Sequence, residues 1–245
     1  MAGGRMTDTY FELLKQHGFA TSIKWTKFQL EDVFDGVDLK NKRMIDIGGG
    51  SGIYSFYAAV RGARDIVCLE PEADGSSTRS TGFFGVLRSA LPSAPVRLDS
   101  RTIQEYPIDD GPFDVVFMHA SINHLDEEAC VTLLDEPSSW QRYKTVLTRV
   151  SELATPGAQI IVCDCSRYNL FASLGIKNPL APVIEWEKHH APEVWAKLLQ
   201  ETGFHDPKIK WEPLYRFGRV GKLLLANRLA AYCLKSIFCL RMTKA

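Results

Sequence analysis

The sequence predicts an α/β fold: a doubly wound, mostly parallel sheet of seven strands with helices on both faces. Three observations carry that prediction. Short apolar runs typical of buried strands alternate along the chain with longer segments of helical period. The stretch "MIDIGGGSGIYSFYAA", residues 44–59, sets three glycines between an apolar run and a helix-like segment, the strand–turn–helix that opens a βαβ unit. The 245 residues, 45% hydrophobic and 24% charged, can bury a substantial core and have the balance of an ordinary globular chain.

Residues 7–36 hold two helical patterns. Tyr10, Phe11, Leu13, Leu14 and His17 share one face before Gly18, and Trp25, Phe28, Leu30, Val33 and Phe34 follow before Gly36. Strands are then expected at Met44–Ile47, Asp65–Leu69, Val96–Leu98, Phe113–Met118, Ala158–Cys163, Lys208–Trp211 and Ile237–Met242. Helices are expected at Ile53–Arg61, closed by Gly62, and at Thr81–Ala90, ended before Pro92. Two more are expected at Ser138–Leu153, ended by a Thr155-Pro156-Gly157 turn, and at Pro192–Thr202, closed by Gly203. Residues 166–191 lack a clear period and are long for a connector, which marks a functional insertion. The expected organisation is a helical cap over 1–39 and a Rossmann-like core over 40–245, with 166–191 as an insertion after strand five on the substrate side.

Formal net charge is zero, which argues against broad nonspecific nucleic-acid binding. The average hides an asymmetry: Pro207–Ala245 carries nine Lys/Arg and one acid, Glu212, so this stretch is +8 and the remainder −8. The six cysteines form neither a disulfide ladder nor a zinc pattern; Cys163-Asp164-Cys165 is spaced C-x-C with no second pair at ligand spacing. Cys68, Cys163 and Cys239 lie in apolar runs and read as small hydrophobes. No signal peptide is expected from the opening residues, and no run of roughly 18 uncharged apolar residues occurs. A reducing cytoplasm is the expected compartment.

Two cofactor classes compete for the glycine turn. A dinucleotide fingerprint needs G-x-G-x-x-G after the strand. Counted from Gly48 the third position is Ile53, and counted from Gly50 it is Ser55, so neither register closes. The alternative, acid-x-G-x-G-x-G, is met at every position by Asp46-Ile47-Gly48-Gly49-Gly50-Ser51-Gly52. Glu70 ends the second strand, eighteen residues after Gly52. "DSRTIQEYPIDDGPFDVVFMHASINHL" (99–125) and "SELATPGAQIIVCD" (151–164) then follow in order.

This ordered set resembles the class I S-adenosylmethionine-dependent methyltransferases. The resemblance implies S-adenosylmethionine as cofactor, with Asp46, Gly48, Gly50 and Gly52 forming the loop that lets the backbone approach its methionine half. It places Glu70 on the ribose, where a carboxylate suits a diol because its two oxygens accept two donors at once. Thr102, Ile103 and Gln104 would flank the adenine, and His119 would meet the methionine moiety.

The same resemblance implies methyl transfer, in which a protein mainly aligns the nucleophile and removes its proton where needed. Active groups in open α/β sheets gather at the carboxyl ends of strands, and there strand four ends in His119, with Asn123 and His124 just beyond. A histidine of near-neutral pKa is the natural base. His119 and His124 are therefore the candidate catalytic residues, with positioning or packing as the alternative for each. Tyr10, Trp25, Tyr168, Trp186 and His189 are the candidate acceptor contacts, with core closure as the alternative for the aromatics. A small organic acceptor is expected, with O-methylation ahead of N-methylation of a small heterocycle.

Members of the family that use Mg²⁺ carry an acid after strand four and an Asp-Asn pair after strand five. Here His119 and Asp164-Cys165 stand in those places, so metal independence is expected. DNA adenine methyltransferases carry [Asp/Asn/Ser]-Pro-Pro-[Tyr/Phe] after strand four, where this chain has His-Ala-Ser-Ile, so no nucleic-acid partner is expected. The segment 219–242 mixes Leu, Ile and Phe with Arg219, Lys222, Arg228 and Lys235. It reads either as peripheral contact with an anionic membrane or as a solvated helix between strands six and seven. A noncatalytic cofactor-binding or membrane-surface scaffold is the rival reading of a different class.

Overall fold

A computed structural model describes residues 2–71 and 78–245, with side chains at 6–71 and 82–245. Helices α1 (Ala2–Gln16) and α2 (Ile23–Val33) precede β1 (Arg43–Ile47), α3 (Ile53–Val60), β2 (Asp65–Leu69), α4 (Thr78–Ala90) and β3 (Val96–Asp99). Next come β4 (Phe113–His119), α5 (Glu127–Val131), α6 (Pro137–Glu152), β5 (Ala154–Cys165) and α7 (Leu170–Ser173). The chain ends with α8 (Pro192–Gln200), β6 (Phe204–Trp211), α9 (Gly218–Leu225), α10 (Arg228–Cys233) and β7 (Ile237–Lys244).

The seven strands form one sheet in the order β3-β2-β1-β4-β5-β7-β6. All neighbours are parallel except β7, which runs antiparallel to β5 and to β6. The strand order reverses direction between β1 and β4, so a crevice opens beyond their carboxyl ends.

Strand residues alternate between two cores, which is why the strands read as unbroken apolar runs. Ile45, Ile47, Val67, Leu69, Val116, Met118, Ile160 and Val162 face one core with α6 and α8. Met44, Ile66, Cys68, Val115, Phe117, Ile161 and Cys163 face the other, with α1, α2 and α3. The first two helices are thus part of the second core. Phe34 stacks on Phe117 with centroids 5.1 Å apart, and the Tyr10 hydroxyl donates to the Ile53 carbonyl at 2.8 Å.

An ionic knot fastens α2 to the C-terminal part of the chain. The Asp32 side chain, 5% exposed, accepts from Lys210, from Lys222 at 2.5 Å and from the Tyr215 hydroxyl at 3.1 Å. Burial raises the Asp32 pKa, but hydrogen bonds from the two lysines outweigh it, so the carboxyl stays below its ordinary value. Arg241 of β7 donates to backbone carbonyls of Asp32, Val33 and Asp35. Part of the basic C-terminal stretch is therefore engaged within the molecule.

Three elements differ from the sequence expectation. Thr155-Pro156-Gly157 lies inside β5 rather than before it: Phe113 pairs with Ala154 and Val115 with Gln159, so the extra residues bulge out with Gly157 at φ +79°. β6 starts four residues earlier than expected, because an edge strand tolerates Pro207 and the shift between His205 and Lys208. The stretch before β7 holds two short helices, α9 and α10, the second capped by Asn227 accepting from the Ala230 amide at 3.0 Å. Within 166–191, Asn169 and Asn178 are buried and donate to Leu234 carbonyl at 3.0 and 2.6 Å, which ties this segment to the turn before β7.

Candidate active site

The glycine turn between β1 and α3 separates two cavities. Gly48 leaves β1 at φ +70°, and a Cβ there would stand 2.4 Å from Cβ of Ser121. Ser121 is brought that close by Ala120, whose φ of +50° turns the chain sharply after β4, and its hydroxyl donates to the Ile47 carbonyl at 2.6 Å. The ends of β1 and β4 are thereby locked together. Gly50, at φ +52°, has none of the described residues within 4 Å of where a Cβ would lie. Gly52 begins α3.

The first cavity, about 430 Å³, is lined by Gly48, Glu70, Thr102, Ile103, Gln104 and Ser121, with His124 and Glu127 at its far wall. Glu70 is 7% exposed and accepts from the Gly50 amide at 2.8 Å, which ties the second strand tip to the loop. Gln104 donates to the Leu125 carbonyl at 2.7 Å, and Thr102 caps its own turn through Glu105. The residues expected at the adenosine thus gather around one cavity from three separate stretches of chain.

Behind the loop lies Asp46, 1% exposed. Its Oδ2 accepts from the Ser55 hydroxyl at 2.7 Å, and its Oδ1 has no hydrogen-bond partner among the described residues. Burial pushes its carboxyl up to about 7, the Ser55 hydrogen bond opposing and the Glu70 charge adding to the rise.

The second cavity, about 370 Å³, lies on the other side of Gly48 and is lined by Asp46, Gly50, Ser51, Tyr54 and His119. Leu14 of α1, and Thr26, Gln29 and Leu30 of α2, close it from the N-terminal side. Phe19, Thr26 and Gln29 also line an outer cavity of about 480 Å³ with Trp25, Leu180, Glu212, Tyr215 and Lys235. A tract therefore runs from the glycine loop outward past Gln29.

His119 stands on this tract and packs on Tyr54, centroids 4.5 Å apart. A near-neutral base was the sequence expectation, and burial of the ring argues against it. Burial pushes the imidazole down to about 4, with Asp164 opposing, so His119 is neutral and weakly basic near pH 7. It suits a wall that positions ligands better than one that takes protons. His124 is on the other cavity: its Nδ1 is 2.6 Å from Glu127 Oε1, and it shares the wall with Gln104 and Glu70.

Among the expected acceptor contacts, Trp25 alone lines the tract. Tyr10 is fully buried against α3, because the inward face of α1 meets the core one turn before Leu14 meets the cavity. Tyr168, 57% exposed, lines a separate surface cleft with Trp211, Arg228 and Tyr232. Trp186 lines neither cavity at the glycine loop. His189 is buried, with Nδ1 3.2 Å from Asp164 Oδ1 but no hydrogen bond, and Asp164 Oδ2 is also unpartnered. Asp164 is thus a buried group and not a solvated one. His190 is buried too, its Nε2 2.7 Å from the Cys130 carbonyl.

Sequence reasoning missed Gln29, Tyr54, Tyr215 and Glu212 as cavity residues. Only Glu212 carried a signal, as the single acid in the basic C-terminal stretch. Among the described residues, no group of three or more His, Cys, Asp or Glu side chains is arranged to hold a metal ion.

Residues 45–136 match the family model described as a methyltransferase domain. No curated protein matches the chain significantly. Among solved structures, a Listeria monocytogenes protein assigned as an S-adenosylmethionine-dependent methyltransferase is 13% identical, with a TM-score of 0.58 over 90% of this chain and 99% of that one. An S-adenosylmethionine-dependent methyltransferase from Aquifex aeolicus is 15% identical, with a TM-score of 0.57 over 89% of this chain and 90% of its own. Magnesium protoporphyrin IX methyltransferase from Synechocystis, solved with bound S-adenosylmethionine, is 12% identical, with a TM-score of 0.51 over 90% of this chain and 79% of its own. Residues 45–136 thus match a methyltransferase domain, and the glycine loop with its acid and the sheet order agree with the Rossmann-like fold that these solved S-adenosylmethionine-dependent methyltransferases share.

Proposed function

We propose that this protein methylates a small organic molecule bound in the tract between the glycine loop and the outer cavity. The observation that carries the reading is the pair of cavities meeting at Gly48. One gathers the residues suited to adenosine, and the other is walled by Tyr54, Phe19 and Trp25. The residues present fit S-adenosylmethionine. Gly50 leaves open space beside the loop, Glu70 offers a carboxylate at the mouth of the first cavity, and Ile103 is an apolar wall for a flat base. Glu70 would hold the ribose, Thr102, Ile103 and Gln104 the adenine, and the loop with His119 the methionine portion. The cofactor, when bound, supplies a methyl group made electrophilic by its sulfonium. The chain's own work is to fix the acceptor in line and keep water from the reacting atoms.

O-methylation is placed ahead of N-methylation, and metal-independent transfer is part of the same reading. It rests on His119 and Asp164-Cys165, which stand where Mg²⁺-using members of the family carry carboxylates. Residues 1–39 act as a cap in this reading, since α1 and α2 wall the second cavity. The test is mass spectrometry of candidate metabolites incubated with labelled S-adenosylmethionine, with calorimetry of cofactor binding alongside. One methyl gained by one acceptor, undiminished in excess EDTA, is expected. Binding of NAD⁺ in place of S-adenosylmethionine would overturn the reading.

A second reading concerns the C-terminal face. Val220, Leu223 and Leu224 of α9 and Leu229 of α10 are between 63% and 83% exposed, beside Arg219 and Arg228. That combination supports peripheral contact with an anionic membrane. No helix among the described residues is long and apolar enough to cross one. Co-sedimentation with anionic but not neutral vesicles is expected, and equal recovery with both would rule the contact out.

A further inference from the structure

We infer that Glu212 is the residue that binds the acceptor's O–H or N–H and receives its proton, and that the acceptor is a planar aromatic molecule. The inference rests on the reading of the two cavities as cofactor and acceptor sites.

Position comes first. β6 runs parallel to β1 and β4, so its carboxyl end lies at the same sheet edge as the glycine loop and His119. Glu212 is the first residue beyond that end, held there by its amide donating to the Ile237 carbonyl at 2.9 Å. Its side chain lines the outer cavity with Trp25 and Tyr215 and also a small inner cavity with His119 and Cys163. Gln29, which borders both and the loop cavity as well, donates to Glu212 Oε1 at 3.2 Å. That contact fixes one carboxylate oxygen and orients the group on the tract.

Chemistry comes second. Asp32 lines the inner cavity too, but its oxygens are taken by Lys210, Lys222 and Tyr215. His119 is a weak proton acceptor, and His124 faces the other cavity. Asp46 borders the loop cavity but is 1% exposed and held by the Ser55 hydroxyl, so Glu212 is the carboxylate of the inner and outer cavities that no described ion pair engages. Burial pushes it up to about 7 against the pull of Lys235, with Asp32 adding to the rise, which suits a base working near neutral pH. The titratable and charged groups around it are Asp32 of α2, Tyr54 of α3, His119 of β4, Cys163 of β5, Lys210 of β6, Tyr215 and Arg216, Lys235 before β7, and Cys239 of β7. In the transfer, the acceptor's lone pair forms the bond to the methyl carbon as the carbon–sulfur bond breaks, its electron pair staying on sulfur. The acceptor's proton passes to the Glu212 carboxylate and leaves to solvent through the outer cavity. Phe19, Trp25, Tyr54 and Tyr215 supply flat apolar walls, which favours a planar ring over an aliphatic chain.

The test uses the full chain loaded with S-adenosylhomocysteine, whose binding is first measured by calorimetry. Naphthol and its methyl ether, alike in shape but for the donor, are titrated against the tryptophan fluorescence of the chain, Trp25 lining the outer cavity. Wild type should bind naphthol roughly tenfold more tightly than the ether, the scale of a hydrogen bond to a charged group. Glu212→Leu should abolish the preference and Glu212→Gln should reduce it, both with unchanged calorimetric affinity for S-adenosylhomocysteine. In wild type the preference should also fall as pH drops through about 7, where Glu212 takes up its proton. Equal binding of the two probes to wild type, binding of neither, or a preference that survives in both variants would overturn the inference. Failure of wild type to bind S-adenosylhomocysteine would instead overturn the cofactor reading beneath it.

Discussion

Gly48→Ala probes the lock between β1 and β4, and its cost follows from the geometry. Gly48 sits at φ +70°, where an L-residue loses about 1–2 kcal/mol. The new methyl would lie 2.4 Å from Ser121 Cβ, about 1 Å inside ordinary contact, and Ser121 is held from behind by its bond to the Ile47 carbonyl. Overpacking of that kind costs about 1–3 kcal/mol. The two together give about 2–5 kcal/mol, or roughly 4–20 °C in Tm for a chain of this size. Adding Ser121→Gly removes the clashing carbon but leaves the strained backbone and loses the serine hydrogen bond. A double-mutant cycle read by urea unfolding should therefore show a favourable coupling of about 1–3 kcal/mol. Gly50→Ala is the control: with none of the described residues within 4 Å it should lose only the backbone part, about 1–2 kcal/mol, yet weaken S-adenosylmethionine binding more than Gly48→Ala does per unit of stability lost. A Tm for Gly48→Ala within 2 °C of wild type, or zero coupling with Ser121→Gly, would refute the packing argument (the 2 °C being about half the smallest expected shift).

Asp32→Ala should cost about 3 kcal/mol in urea unfolding, the lower end for breaking a buried ion pair because Lys210 and Lys222 keep about a third of their exposure. It should also speed limited proteolysis between α2 and β1. Between its ordinary value of 3.8 and its folded value of about 7, Asp46 is protonated in the folded chain and ionised in the unfolded one, so its contribution to stability falls as pH rises through that window. Asp46→Asn should accordingly give a flatter dependence of Tm on pH between 4 and 7 than wild type, and parallel curves would contradict the burial argument. His119→Ala should weaken cofactor binding in calorimetry while leaving any pH–rate limb near 6.5, the ordinary histidine value, in place; loss of that limb would restore His119 as the base.

What could be read from the sequence was local. The acid-glycine loop, Glu70 and the 102–104 turn each announce themselves within a few residues, and the sheet brings them together because strand tips share one edge. Side chains whose role depends on a distant surface could not be read so. Tyr10 and Leu14 are one turn apart on the same face of α1, yet one meets α3 and the other the cavity, a difference set by how far α3 extends along it. His119 ends its strand as expected, but its basicity depends on Tyr54 and the covering helices, which spacing does not encode. Thr155-Pro156-Gly157 carries strong turn chemistry, and pairing with β4 on one side overrode it by bulging the strand.

The two cavities also differ in which parts of the chain build them. Every residue lining the adenosine-side cavity lies between Ile47 and Glu127, inside the stretch 45–136 that matches the methyltransferase model. Every residue lining the outer cavity lies outside it, in 19–29, 179–180, 212–216 and 235. In the proposed reading the acceptor side is therefore built from segments on both sides of the matched domain, and Asp32 with Lys210 and Lys222 joins α2 to the later ones. Opposite charge on distant parts of the sequence, −8 against +8, is partly spent on that join. On the proposed function, cofactor binding and acceptor choice rest on separate residues. Substitutions at the join should shift acceptor affinity with little change in affinity for S-adenosylmethionine, whereas those at Glu70 or Gly50 should do the reverse. A family signature confined to the first cavity can identify the cofactor and is silent on the acceptor because none of the outer cavity's walls belong to it.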